Sequence, residues 1–185
     1  MDAAQRKELL AFARATIVAH LSGQSPPAAP KLEPAISKCS GAFVTLHNRG
    51  RLRGCIGRFA DNVDVVGTVR EMAMAALGDP RFLGEPATAA ELPELDIEIS
   101  VLSPMKRTTD PLSLELGVHG VLIRRGVRSG CFLPQVATEQ RWTKEQFLSY
   151  CCSHKAGLAP GAWKEPNTEV YLYTAEVFGE KELQG

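Results

Sequence analysis

The stretch Arg49-Gly-Arg-Leu-Arg-Gly-Cys-Ile-Gly-Arg58 combines a reverse turn, a short strand and a cysteine between two glycines. Asn48-Arg49-Gly50 predicts the turn of a hairpin that joins strands over residues 42–46 and 52–56. Glycine allows a sharp turn or the close approach of another group, because it has no Cβ atom. This stretch therefore decides how the first sheet begins, and it carries Cys55, the strongest candidate for a functional residue.

Hydrophobic periodicity predicts three helices around this hairpin. The first covers residues 3–22, where apolar side chains recur at helical spacing. A second is expected to begin at Asp61, as its N-cap, and to end at Gly78. The sequence Thr143-Lys-Glu-Gln146 is a capping box, and it opens a third helix that ends near Gly157.

Strand patterns fill most of the remaining chain. Apolar and polar residues alternate over residues 96–102 and again over residues 169–177. Residues 117–124 and 130–133 predict a second hairpin around Arg125-Gly126. Because strands and helices are mixed without a regular βαβ rhythm, we expect the α+β class, with a largely antiparallel sheet flanked by helices.

Composition narrows the class of protein. The 185 residues suit one domain, and lysine plus arginine equals aspartate plus glutamate at 21 each, which argues against a general polyanion binder. The first residues lack the pattern of a signal peptide, and no apolar run is long enough for a membrane span. Five cysteines without an export signal favour a reducing compartment, so we expect a cytoplasmic protein.

Six short segments occur along the chain in a characteristic order, and they are Gly41-Ala-Phe-Val-Thr-Leu46, Leu52-Arg-Gly-Cys-Ile-Gly57, Asp79-Pro-Arg-Phe82, Ser100-Val-Leu-Ser-Pro104, Leu133-Pro-Gln-Val136 and Lys155-Ala-Gly-Leu158. Together they resemble the AMMECR domain family, which in bacteria and archaea is called AmmeMemoRadiSam system protein A. The resemblance covers essentially the whole chain, and the string Leu-Arg-Gly-Cys-Ile-Gly is the family's hallmark.

The resemblance says more about the fold than about the function. It implies a single AMMECR domain over residues 1–185, built of a larger and a smaller lobe. It implies a Memo-type protein and a radical-SAM protein as partners, and it assigns no reaction to this component. We therefore expect a small-ligand-binding or adaptor component of the AmmeMemoRadiSam system, and whether it is an enzyme stays open.

Cys55 is the candidate catalytic residue. A thiol beside guanidinium groups is biased toward the thiolate, the form that attacks electrophiles, and Arg53 and Arg58 flank it. An enzyme that uses Cys55 as a nucleophile or redox thiol on an anionic or electrophilic substrate is thus the first alternative to a binding protein. Structural packing is the competing interpretation, because free cysteines often serve as small apolar residues.

Strand alternation divides the residues around Cys55 between two faces. Arg53, Cys55 and Gly57 fall on one face of the predicted strand, and Gly54 and Ile56 fall on the other. The sequence leaves open which face is buried.

A ligand site around Cys55 would use backbone donors as well as side chains. Successive N–H groups over residues 54–57 form the kind of concavity that binds anions, whereas close strand packing explains the glycines equally well. We expect the site at a concave surface between the two lobes, holding a small anionic ligand. Its predicted ligand-binding residues are Arg53, Gly54, Ile56, Gly57, Arg81 and Lys155.

Metal and nucleic-acid binding receive less support. Cys151, Cys152 and His154 are neighbours, but adjacent cysteines lack the spacing of zinc ligands, so no metal site is expected. No cofactor is expected either. A weak nucleic-acid binder is the last alternative, because it depends on four arginines alone, which are Arg49, Arg51, Arg53 and Arg58.

Overall fold

The computed structural model describes residues 1–32, 38–82, 84–85 and 87–182, with the side chains of Lys38 and Asp61 outside this description. The chain divides into two compact units. The first unit comprises residues 1–102 and 176–185, and the second comprises residues 103–175. In the described ranges, no helix is both long enough and apolar enough to cross a membrane.

Three strands form an antiparallel sheet in the first unit. Strand β1 (Lys38–Asn48) lies between β2 (Arg51–Asp64) and β3 (Leu95–Leu102) and pairs with both. At the turn between β1 and β2, Arg49 and Gly50 have φ angles of 50° and 77°. Positive φ at both central residues is what a two-residue hairpin turn requires. The predicted hairpin is therefore confirmed, and both strands run further than the sequence pattern indicated.

Two helices pack on this sheet and form the core with it. Helix α1 (Ala3–Leu21) opens with a capping box, in which the Asp2 side chain accepts the Gln5 backbone N–H at 2.8 Å. Helix α2 (Val65–Leu77) follows β2 directly and ends at Gly78, as predicted. Buried side chains of both helices pack on the inward-facing residues of β1 and β3, which are Ala42, Val44, Leu46, Leu95, Ile97 and Ile99.

The prediction that the second helix begins at Asp61 is wrong. Asp61 lies in β2, which stays paired with β1 as far as the pair formed by Lys38 and Asp64. Asp64 is the N-cap instead, and its side chain accepts the Gly67 backbone N–H at 2.5 Å. Because pairing with β1 keeps the chain extended beyond Asp61, the helix begins three residues later than the capping pattern predicts.

An antiparallel sheet in the order β4-β7-β5-β6 forms the second unit. Its strands are β4 (Lys106–Thr108), β5 (His119–Arg125), β6 (Arg128–Phe132) and β7 (Glu169–Gly179). The last residues of β7, from Glu176 onward, belong to the first unit. Strands β5 and β6 form the second predicted hairpin, and the α+β class with antiparallel pairing is confirmed.

Short helical segments complete the second unit. They are α3 (Pro134–Glu139), α4 (Lys144–Tyr150) and a π-helical turn over Cys151–Lys155. The predicted capping box opens α4, since the Thr143 hydroxyl accepts the Gln146 backbone N–H at 3.2 Å and the Gln146 side chain accepts the Thr143 backbone N–H at 2.9 Å. This reciprocal pair satisfies two donors that the first turn would otherwise leave unpaired.

Gly54 lies where β2 passes the end of α2. A Cβ atom at this position would stand 2.1 Å from the backbone oxygen of Ala76, far inside the normal contact distance. The close approach of strand and helix therefore requires glycine. Gly78 differs, since a Cβ atom there would meet only the Ala75 oxygen at 3.9 Å.

We expect Gly54→Ala to destabilise the folded protein by about 3 kcal/mol, because backbone rather than a flexible side chain must move. Gly78→Ala is the matched control and should change the free energy of unfolding by less than about 0.5 kcal/mol. Urea titrations followed by circular dichroism give both values. Equal stabilities of the two variants would contradict the packing explanation.

Candidate functional site

The backbone of Cys55 lies on the outer edge of the first sheet, because β2 pairs only with β1 in the described order of strands. The Cys55 N–H donates to Asp79 Oδ2 at 2.8 Å, and the Cys55 carbonyl accepts from Arg81 Nη2 at 3.1 Å. Side chains thus satisfy two polar groups that a neighbouring strand would otherwise pair. Two of the six characteristic segments, residues 52–57 and 79–82, thus meet at this edge.

Asp79 is the centre of this contact. Its carboxylate accepts the Arg81 backbone N–H at 3.0 Å and two guanidinium N–H groups, from Nε at 3.0 Å and Nη2 at 2.6 Å. The Asp79 side chain is 1% exposed, whereas that of Arg81 is 57% exposed. The Arg81 guanidinium holds the pKa of Asp79 well below its ordinary value, although burial acts in the opposite direction. Asp79 therefore stays ionised inside the fold.

The Cys55 thiol points away from the helices and is half-buried. Thr45 stands directly opposite Cys55 on β1, and its hydroxyl donates to Cys55 Sγ at 3.2 Å. Thr45 also faces Glu98 on β3, so a row of Cys55, Thr45 and Glu98 crosses the sheet.

Three of the four arginines near Cys55 are paired with carboxylates. Arg53 bonds to Glu91 at 2.7 Å and lowers the pKa of Glu91 to about 2. Arg58 bonds to Glu71 of α2 at 2.7 Å, and Arg49 is paired with Glu94. The Phe82 ring lies about 6 Å from the guanidinium carbons of both Arg53 and Arg81, at 6.0 Å and 5.9 Å.

Packing accounts for the other residues of the hallmark string. A Cβ atom on Gly57 would lie 2.1 Å from the ring of Phe43, its partner across the strands. Ile56 packs against the core of the first unit, on the same face as Gly54. The alternation predicted from the sequence therefore places Gly54 and Ile56 on the face toward the helices, and leaves Arg53, Cys55 and Gly57 on the other.

The structure brings together some predicted site residues and not others. Cys55, Arg53 and Arg81 lie close together in the first unit. Lys155 lies in the second unit, where its ammonium stands 5.4 Å from the Phe132 ring centre. The concave site predicted between two lobes stays a prediction.

The cysteines of the second unit differ from Cys55 in their surroundings. Cys151 and Cys152 are fully buried in its core, and burial raises the pKa of both. Burial also raises the pKa of Cys131, to about 11. Among the described residues, no group of three or more His, Cys, Asp or Glu side chains is placed to hold a metal ion.

Asp79 is the residue that sequence reasoning missed. The sequence Asp79-Pro-Arg-Phe82 is typical of a turn that ends a helix. Aspartate is common in such turns, so its presence there predicts no contact with a distant part of the chain. The available signal was a charged pair two residues apart, Asp79 and Arg81, inside one of the six characteristic segments.

Comparisons with known proteins agree with this architecture. Protein MK0488 of Methanopyrus kandleri is 41% identical over 96% of this chain and 89% of its own length. Protein TK0174 of Thermococcus kodakarensis is 40% identical, over 78% of this chain and 75% of its own. The crystal structure of the uncharacterized protein PH0010 from Pyrococcus horikoshii matches with a TM-score of 0.81 and 34% identity, covering 96% of this chain and 92% of that one.

The fold thus places the chain in a class of α+β proteins with several archaeal relatives. The sequence model of AMMECR1 matches residues 10–178. The chain belongs to the AMMECR1 family.

We expect Asp79→Asn to destabilise the protein by about 2 kcal/mol at neutral pH, because the buried carboxylate accepts hydrogen bonds from Cys55 and Arg81 that an amide can replace only in part. The pKa of Asp79 is lowered in the folded state, so its stabilising effect is complete above its ordinary pKa and is lost as the pH falls further. The difference between wild type and variant should therefore shrink below about pH 4.

Urea unfolding at neutral pH and at about pH 3 measures this difference. Glu94→Gln is the control, because the pair of Arg49 and Glu94 is exposed and should leave the unfolding midpoint unchanged. A difference between wild type and Asp79→Asn that stays constant with pH would contradict the assignment of the charge.

Proposed function

We propose that this chain is a non-catalytic, cytoplasmic binding component that acts with a Memo-type protein and a radical-SAM protein. Membership of the AMMECR1 family supports the proposal through the resemblance to the AmmeMemoRadiSam system. The contact face is the side of the first sheet that carries Cys55 and Thr45, together with Arg81 at the outer edge of β2. A small anionic ligand, or a group on a partner, would meet the thiol and the guanidinium there.

One observation carries the preference for binding over catalysis. A thiol nucleophile is normally activated by an adjacent general base. The described partners of Cys55 are Thr45, Asp79 and Arg81. Arg81 keeps Asp79 ionised with a lowered pKa, and the carboxylate oxygens are already filled by N–H donors, so Asp79 is a poor proton acceptor. The residues around the thiol brace the strand rather than activate the sulfur.

An enzyme that uses Cys55 on an electrophilic substrate is the second candidate. Two contacts favour it. The Thr45 hydroxyl donates to the sulfur, and the pKa of Arg81 is raised chiefly by Asp79 and to a smaller extent by Cys55. Both contacts place a polar group beside the sulfur that such an enzyme would use.

Nucleic-acid binding receives the least support. Arg49, Arg53 and Arg58 each face a carboxylate. Phosphate contacts would have to break these pairs, and fewer free charges remain to release counterions from a nucleic acid.

We expect Cys55 to be alkylated before the other cysteines when the native protein is treated with iodoacetamide at neutral pH. Cys39, Cys151 and Cys152 are buried, and the raised pKa of Cys131 keeps it protonated. Peptide mapping by mass spectrometry measures the order of labelling. Faster labelling of Cys131 would contradict the described exposure of the Cys55 thiol.

Co-expression with a Memo-type protein and a radical-SAM protein tests the proposed role. We expect the three chains to co-purify, and Cys55→Ser to retain both the complex and its activity in cells, because binding does not need a nucleophile. Cys131→Ser is the control for the loss of a thiol elsewhere. A Cys55→Ser variant that keeps the complex but loses cellular activity would favour the enzyme, and failure of wild type to co-purify would overturn the adaptor role.

A further inference from the structure

We propose that the outer edge of β4 in the second unit binds an extended, acidic segment of another protein. This surface lies apart from Cys55 in the sequence and uses none of its neighbours, so the proposal stands or falls independently of the function proposed above.

An open strand edge is the first part of this surface. One edge of β4 pairs with β7, in the register Lys106 to Leu172 and Thr108 to Val170. Within the ranges that the structure describes, no strand pairs along the other edge of β4. Exposed strand edges present N–H and C=O groups that can pair with an added strand.

Two clefts adjoin β4. One has a volume of ≈ 730 Å³ and is lined by Trp163, Lys164, Pro166 and Val170, among others. The second has a volume of ≈ 660 Å³, and its lining residues include Ser103, Lys106, Ser113, Leu172 and Tyr173. Arg107 and Thr108 line both clefts, which therefore meet along β4. The cross-strand pairs Thr108–Val170 and Lys106–Leu172 lie on one face of the sheet, so the clefts follow each other along that face, and every second side chain of an added strand would point toward it.

The charge of the clefts selects an acidic occupant. Lys106, Arg107 and Lys164 line them, and the one carboxylate among the lining residues, Glu165, is bonded to Arg125 at 2.8 Å. Arg107 lies 3.5 Å from Glu169, but Arg124 bonds to that carboxylate more closely, at 2.8 Å. Arg107 is 59% exposed and thus keeps donors for a ligand.

Lys164 is held in place for such a contact. Its ammonium stands 4.8 Å from the ring centre of Trp163, and Trp163 donates to the Ser149 hydroxyl at 3.2 Å. A cation fixed on a buried ring loses little freedom when a carboxylate binds it. An acidic, extended peptide therefore matches the edge, the clefts and the charge together, whereas a second copy of this neutral chain matches only the edge.

The test uses the full-length protein and a fluorescein-labelled peptide of alternating valine and glutamate. The peptide has about six residues, because an extended chain of that length spans about 20 Å and so reaches past both ends of β4. We expect saturable binding by fluorescence anisotropy. The amide resonances of residues 106–108 should shift on addition of the unlabelled peptide. Arg107→Gln should weaken binding about fivefold, as expected for one partly exposed charge.

Matched controls separate strand pairing from charge attraction. Arg128→Gln removes the same charge from β6, at the other side of the sheet, and should leave binding unchanged. A peptide methylated on alternate backbone nitrogens keeps its charge but cannot complete the strand pairing, so it should lose most of its affinity.

Three results would overturn the proposal. They are equal binding of the methylated peptide, equal weakening by Arg128→Gln, and shifts confined to residues outside β4 and its clefts. A fourth result would also overturn it. If sedimentation of the free protein shows a dimer that buries residues 106–108 and excludes the peptide, the occupant of the edge is a second copy of this chain.

Discussion

A buried carboxylate holds the distinctive parts of the first unit together. Asp79 receives N–H donors from the Cys55 backbone, the Arg81 backbone and the Arg81 guanidinium. A buried charge without partners is strongly destabilising, so the donors and the carboxylate depend on each other. Through this contact the end of α2, the turn after it and the edge of β2 take one fixed arrangement. The position of the Cys55 thiol follows from the same contact, because its backbone is fixed on both sides of the Cα atom.

Structural features that depend on residues close together in the chain could be predicted from the sequence. The hairpin at Asn48-Arg49-Gly50 and the capping box at Thr143 both form as predicted, because turns and caps are satisfied by near neighbours. Asp61 failed as a cap because β1 continues to pair with β2 beyond it, and a single sequence does not show where a partner strand ends. Strand β4 has only three residues, so no periodic pattern identifies it before β7 is placed beside it.

The sequence predicts where the candidate site lies, but not which residues pair with one another there. Cys55 stands out in the sequence because glycines and arginines surround it. The sequence cannot show that Arg53 is paired with Glu91 or that Arg58 is paired with Glu71, since these carboxylates lie many residues away. Nor can it show that Asp79 reaches back 24 positions to the Cys55 amide. Pairing with carboxylates elsewhere in the chain thus neutralises three of the four arginines in this stretch.

The bracing of Cys55 also bears on how the protein avoids misassembly while it folds. An unprotected edge strand can recruit a strand from a neighbouring molecule and begin an aggregate. Once Asp79 and Arg81 have docked, their side chains occupy the backbone N–H and C=O groups of Cys55, and a foreign strand could add there only by displacing the buried Asp79 carboxylate and its arginine partner. Before α2 and its following turn have formed, the same edge is open. The period of greatest aggregation risk for this strand therefore ends when a segment 24 residues further along the chain has folded back onto it.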